Sequence, residues 1–201
     1  MNNSTYERKV DTKLPDSRDR SNYRQIISTA SNQSTPLYPI SSSTKSKGTV
    51  RSIVSTEYHQ HKENIDSICE SIFWEAKREN FEDGMKSKFS QNLISFIKKY
   101  SRDAIESITC LIVYEKMNPE IAGEALRWIG RIEHPDSYEF RRWLLERSII
   151  LPSALVRDGA LLGIASMDDK HTIKYLKEAI DKEYCGDLKV DMIQVLEQLE
   201  S

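Results

Sequence analysis

Cysteine, histidine and long apolar runs are all scarce in this chain of 201 residues, and each scarcity removes a class of function. Cys69, Cys110 and Cys185 are an odd and widely separated set. They suit reduced thiols packed as small hydrophobes, as in a reducing compartment, rather than a disulfide framework. No apolar run approaches the roughly 18 residues that a membrane span needs, and Met1 to Val10 lacks the hydrophobic core of a secretory signal. The expected location is therefore the cytoplasm, with no membrane as a partner. His59 and His61 lie near Cys69, but no second ligand pair follows at zinc-like spacing, so no metal is expected. A nucleophile with an organised base cannot be assembled from four histidines, and no Gly-rich phosphate loop is present. Hence no catalytic residue and no cofactor are expected. The adjacent carboxylates Asp168 and Asp169 read as a helix cap rather than as an acid and a base. Strand-like alternation between Gly-containing turns is missing as well.

What the chain does contain is unevenly distributed. Residues 1–50 hold 22 Ser, Thr, Asn or Gln and three of the six prolines, but no Trp, Phe or Cys. So little apolar matter cannot offset a chain entropy of roughly 1–2 kcal/mol per residue. A disordered polar tail is predicted over 1–56 and a folded domain over 57–201. The first 50 residues carry eight Lys or Arg against four Asp or Glu, which leaves 21 against 27 for the rest. The tail is thus about +4 and the body about −6, a sign that weighs against nucleic acid as a partner.

Within the body, apolar or small residues at i, i+4, i+8 and i+11 occur four times. The sets are Phe89, Leu93, Ile97, Tyr100; Ile121, Ala125, Ile129, Ile132; Val156, Ala160, Ile164, Met167; and Leu188, Met192, Leu196, Leu199. Their starts lie 32, 35 and 32 residues apart. A two-helix unit of this length cannot bury its own stripe and must stack on a copy of itself. Start signals agree: Asn118 before Pro119, Pro152 with Ser153, and Asp168-Asp169 each open a helix, while Ser101 interrupts one. About eight helices are expected. The second helix of each unit is expected to repeat at 33 residues, with Phe140 and Trp143 matched to Ile173 and Leu176. Trp128 and Trp143 read as core.

The stretch from Val156 to Ile180, VRDGALLGIASMDDKHTIKYLKEAI, resembles a HEAT-like repeat of the bacterial type also seen in phycobilin lyase subunits. The resemblance implies that Val156 and Arg157 open the first helix and that Ala160, Gly163 and Ala165 let two helices approach. Asp169 would cap the second helix before Ile173 and Leu176. The unit from Ile121 to Arg147 is similar but has Ala122 in place of the Arg and His134 in place of the capping Asp. The implied fold class is all-α, a short right-handed α-solenoid of HEAT-like helical hairpins.

In such an array second helices line the concave surface, and residues one repeat apart are neighbours. With a repeat of 33, Tyr138 is expected beside His171, Arg141 beside Lys174, and Arg142 beside Tyr175. These six form the candidate partner-binding patch, because Arg and Tyr combine planar contact area with hydrogen bonding. The expected function is a non-enzymatic protein–protein interaction module, an adaptor or scaffold, with a protein partner. The resemblance also admits an accessory subunit of a heteromeric enzyme such as a lyase-like complex. The terminal helix bearing Leu188, Met192 and Leu196 leaves room for end-to-end self-association.

Overall fold

A computed structural model describes residues 49–82, 85–114 and 116–201, with side chains described from Gln60 onward. The span 1–56 read as a tail lies outside the described residues up to position 48, and the first described helix begins at Thr49.

The described residues form seven α-helices and two 3-10 turns, with no strand among them. They are α1 (Thr49–Ala76), α2 (Lys88–Val113), α3 (Pro119–Gly130), α4 (Tyr138–Ser148), α5 (Ala154–Met167), α6 (Ile173–Lys182) and α7 (Gly186–Glu200). The 3-10 turns, Pro135–Ser137 and Lys170–Thr172, lead into α4 and α6. Two of the eight expected helices are the arms of α2, which breaks at Ser101 (φ 46°, ψ −112°). That break lets both arms touch α1. Phe73 meets Phe89 of the first arm edge to face at 5.2 Å, while Lys62 lies 3.6 Å from Glu106 of the second.

The predicted caps form where the residues allow. Asn118 Oδ1 accepts the Glu120 N–H at 2.9 Å, with Pro119 in the first turn where its missing N–H costs nothing. Ser87 and Ser90 form a reciprocal capping box at the start of α2. Asp169 Oδ1 accepts the His171 N–H at 2.9 Å. Ser153 precedes α5 without a side-chain cap hydrogen bond.

All four apolar stripes turn inward. Tyr100, Met167 and Leu196 are partly buried, and every other residue of the sixteen is buried. Trp128 is buried and donates its Nε1–H to Glu124 Oε1 at 2.5 Å, whereas Trp143 only packs against the core from its edge.

One offset relates three successive elements. From α3 to α5, from Pro135 to Lys170 and from α4 to α6, each start moves by 35 residues. The 33-residue register expected for the second helices is therefore wrong by two positions. At 35, Ser137 matches Thr172, Arg141 matches Leu176 and Leu144 matches Ala179, and all six are buried.

The seam between α3 and α5 is made of glycine. A Cβ on Gly159 would lie 2.2 Å from the Gly123 carbonyl oxygen, and one on Gly130 would lie 2.1 Å from that of Gly163. Positions advance together along both helices, so the two run in the same direction. Backbone meets backbone there because neither side carries a side chain. On its other side α5 contacts α7, whose Gln198 Nε2 donates to the Ala165 carbonyl at 3.1 Å.

Candidate functional site

Asp169 is the centre of the site that the structure builds from the expected patch. It sits in the turn between α5 and α6, where Asp168 takes a left-handed conformation (φ 52°) that ends α5. The Asp169 carboxylate receives the Tyr138 hydroxyl at 2.7 Å and Arg142 Nη1 at 3.2 Å on Oδ2. On Oδ1 it receives the His171 backbone N–H and, at 2.7 Å, His171 Nδ1, an arrangement in which Nδ1 carries the proton. Tyr138, Arg142 and His171 thus converge, joined through a carboxylate rather than stacked as neighbours.

Arg142 is shared among three acids. Besides Asp169 it lies 2.5 Å from Glu139 and 3.5 Å from Glu146. Glu146 and Asp169 are both buried, while Glu139 is exposed. One guanidinium among three carboxylates makes the ground around Asp169 locally rich in acids.

The titrations follow from that crowding. Burial pushes the Glu146 carboxyl up to about 7, Arg142 pulls it back, and Asp169 and Glu139 add repulsion. Burial would raise Asp169 too. The His171 amide, the Tyr138 hydroxyl, the His171 ring and Arg142 outweigh it and hold that carboxyl well below the usual range. Burial and the Asp169 hydrogen bond push the Tyr138 phenol up to about 12.

A buried acid whose folded pKa is raised stabilises the fold only while protonated. Between its ordinary value of 4.5 and about 7 the folded chain holds a proton that the unfolded chain has lost. Glu146 therefore subtracts stability progressively as pH rises through that window. Glu146→Gln is expected to flatten this part of the profile and to raise stability at pH 8 by roughly 1–3 kcal/mol, read from urea midpoints at pH 5 and pH 8. An unchanged slope would show that Glu146 is already ionised at pH 5. Asp169 acts oppositely, and its contribution fades only as pH falls below its ordinary 3.8.

Arg141 is not part of any surface. It is 1% exposed, and its donors reach the Ile129 carbonyl at 2.9 Å, the His134 carbonyl at 3.2 Å and Ser137 Oγ at 3.1 Å. Ile129 lies in the last turn of α3, and His134 and Ser137 belong to the turn before α4, so the side chain ties the end of that helix to the turn from inside the core. Burial pulls its pKa down. The 35-residue register explains the placement, because Arg141 occupies the position of the buried Leu176. Lys174 and Tyr175 are exposed on α6, the ammonium 6.0 Å from the Tyr175 ring.

A second buried cation escaped the sequence reading. Arg157 Nε and Nη2 bind Glu183 at 2.7 and 2.8 Å, and its Nη1 reaches the Leu151 and Pro152 carbonyls at 2.9 and 2.7 Å. Glu183 in turn accepts the backbone N–H groups of Tyr184 and Cys185. One buried ion pair therefore fastens the loop before α5 to the loop before α7. At the 35-residue offset the same two places hold Ala122 and Ser148, both buried. The resemblance marked Arg157 as a helix opener; no spacing rule connected it to an acid 26 residues away.

Comparison with family models, with curated proteins and with solved structures finds no match. The site must be interpreted from its own chemistry. Asp169 is saturated by donors from three residues, which suits a structural corner tying α4 to the α5–α6 turn. Among the described residues, no group of three or more His, Cys, Asp or Glu is placed to hold a metal ion, and no helix is long and apolar enough to cross a membrane.

Proposed function

We propose that the protein is a non-enzymatic interaction module, a short right-handed α-solenoid of HEAT-like hairpins that holds a protein segment against its second helices. The observation that carries this reading is the 35-residue offset shared by α3 and α5, the two 3-10 turns, and α4 and α6. A two-helix unit repeated with its turn chemistry is the ordinary building block of a solenoid, and solenoids serve mainly as binding surfaces. The repeated Asp169 and His134 turns support the HEAT-like assignment, as does the glycine seam that brings the first helices together.

The binding patch is redrawn from the expected one. Arg141 leaves it, and Tyr138 and Arg142 serve as the wall around Asp169. Exposed Lys174 and Tyr175 on α6, together with Arg147 at 5.8 Å from the half-buried Trp143 ring on α4, supply the accessible cationic and aromatic contacts. A protein segment with acidic and apolar residues fits them.

The test is affinity purification with the wild-type chain, with Arg147→Glu/Lys174→Glu/Tyr175→Ser, and with Glu120→Lys on an exposed first-helix position. The triple variant is expected to lose partners recovered by the other two, with binding weakened at least about tenfold and helical circular dichroism unchanged. Equal recovery by all three would reject this surface.

A further inference from the structure

We infer that the corner formed by Glu146, Arg142 and Asp169 is a pH-operated latch on the proposed binding surface, closed while Glu146 carries its proton and loosened once it ionises. The inference rests on that surface being the binding face. Its accessible groups are split between two helices, Arg147 and Trp143 on α4 and Lys174 and Tyr175 on α6. These helices make little direct contact, so the corner is the tie between the two halves. From α4, Tyr138 and Arg142 both donate to Asp169 Oδ2, while Asp169 Oδ1 accepts the His171 N–H and so caps the turn that enters α6. Arg147 directly follows Glu146, and Lys174 lies three residues beyond His171.

Glu146 is the weakly held member of the corner. The Arg142 fork commits Nη1 to Asp169 and Nη2 to Glu139, and leaves only Nε for Glu146, at 3.5 Å. That nitrogen is buried and makes no hydrogen bond among the described residues. A buried carboxylate held without a hydrogen bond, beside two others on one guanidinium, favours its neutral form. Burial accordingly pushes its carboxyl from the ordinary 4.5 up to about 7; Arg142 and Arg147 oppose the rise, and Asp169 and Glu139 add to it. The other helices packed on α4 bring charges of their own. From α2, Arg102 lies 5.4 Å from the Phe140 ring; from α3, Glu124 and Arg127 pair with each other; and α5 carries Asp158 and Arg157, the latter bound to Glu183. Ionising Glu146 sets a third negative charge against Asp169 and draws Arg142 toward itself. Asp169 then loses the donor that reaches it from the middle of α4.

Glu146 regains its ordinary titration when the corner opens, so the ratio of closed to open corner should fall about tenfold between pH 6 and pH 8. Hydrogen exchange of the full chain reads this directly. After division by the intrinsic exchange rate, the amides of residues 170–175 are expected to lose about tenfold in protection over that interval, and the loss should not depend on urea below the unfolding transition. Glu146→Gln should abolish the fall, whereas His171→Asn, which removes the other titrating side chain on Asp169, should keep it. Partners recovered by the wild type at pH 6 should bind more weakly at pH 8, and Glu146→Gln should hold them equally at both. Protection that does not change with pH, a fall that survives Glu146→Gln, or one that disappears with His171→Asn would overturn the inference. So would exchange of these amides only through urea-dependent global unfolding, or equal recovery of partners by the wild type at both pH values. The exchange measurement needs no partner, so a failed latch and a failed binding surface are told apart.

Discussion

Arg157→Ala is expected to destabilise the fold by about 3–5 kcal/mol, enough to unfold much of a marginally stable domain. The guanidinium is buried and four of its five N–H donors are used, two on Glu183 and one each on the carbonyls of Leu151 and Pro152. Removing it strands a buried carboxylate and two carbonyls together. The equivalent place 35 residues earlier shows what the site looks like without charge, because Ala122 and Ser148 occupy the same two positions. Arg157→Ala/Glu183→Ser copies that solution. It is expected to recover more than half of the loss, since the penalty of an unpaired buried charge disappears with the charge. Chemical denaturation of the two variants and of Glu183→Ser, closed as a double-mutant cycle, measures the coupling. A double variant no more stable than Arg157→Ala would show that the pair does more than neutralise itself.

The second large effect belongs to the glycine seam. Gly159→Val would place a Cβ 2.2 Å from the Gly123 oxygen and 2.4 Å from its Cα. Those are backbone atoms, which cannot rotate aside as a side chain could. The helices must separate, and the core layer of Ala125, Ile129, Ala160 and Ile164, now fully buried, opens with them. A loss of roughly 3–5 kcal/mol is expected, and Gly130→Val should behave alike, its Cβ meeting Gly163 oxygen at 2.1 Å. Gly186→Ala is the control, since nothing lies within 4 Å of its Cβ position at the start of α7. It should be neutral or slightly stabilising because alanine loses less chain entropy on folding. Thermal unfolding followed by circular dichroism separates these outcomes. A seam variant that melts with the wild type would mean that the two backbones are not in contact.

The sequence made the first helices legible and misplaced the second ones, for a physical reason. A stripe such as Ile121, Ala125, Ile129, Ile132 has one apolar face and small residues where another backbone passes, so its register can be read from hydrophobicity alone. On α4 the apolar residues Phe140 and Trp143 are only half-buried, and the largest fully buried side chain belongs to a charged residue, Arg141. Aligning apolar with apolar therefore slid the helix by two. A better signal lay in the turns: Ser137 and Thr172 are small hydroxyl residues directly before α4 and α6, and they sit 35 apart. The same slip put Arg141 on the surface. Asp169 was read correctly as a cap, but the cap also draws in Tyr138 and Arg142 from a helix about 30 residues earlier. No local pattern encodes that reach. The Arg157–Glu183 bond lies beyond local reading for the same reason.

The break at Ser101 has a mechanical consequence. It lets both arms of α2 reach α1, and α2 in turn packs on α3, on α4 and on the turn before α4, so that α1 is joined to the remaining helices through α2. Loss of contact at α1 therefore reaches the seam of α3 and α5 only by way of α2. The chain can loosen at that margin while its centre stays shut.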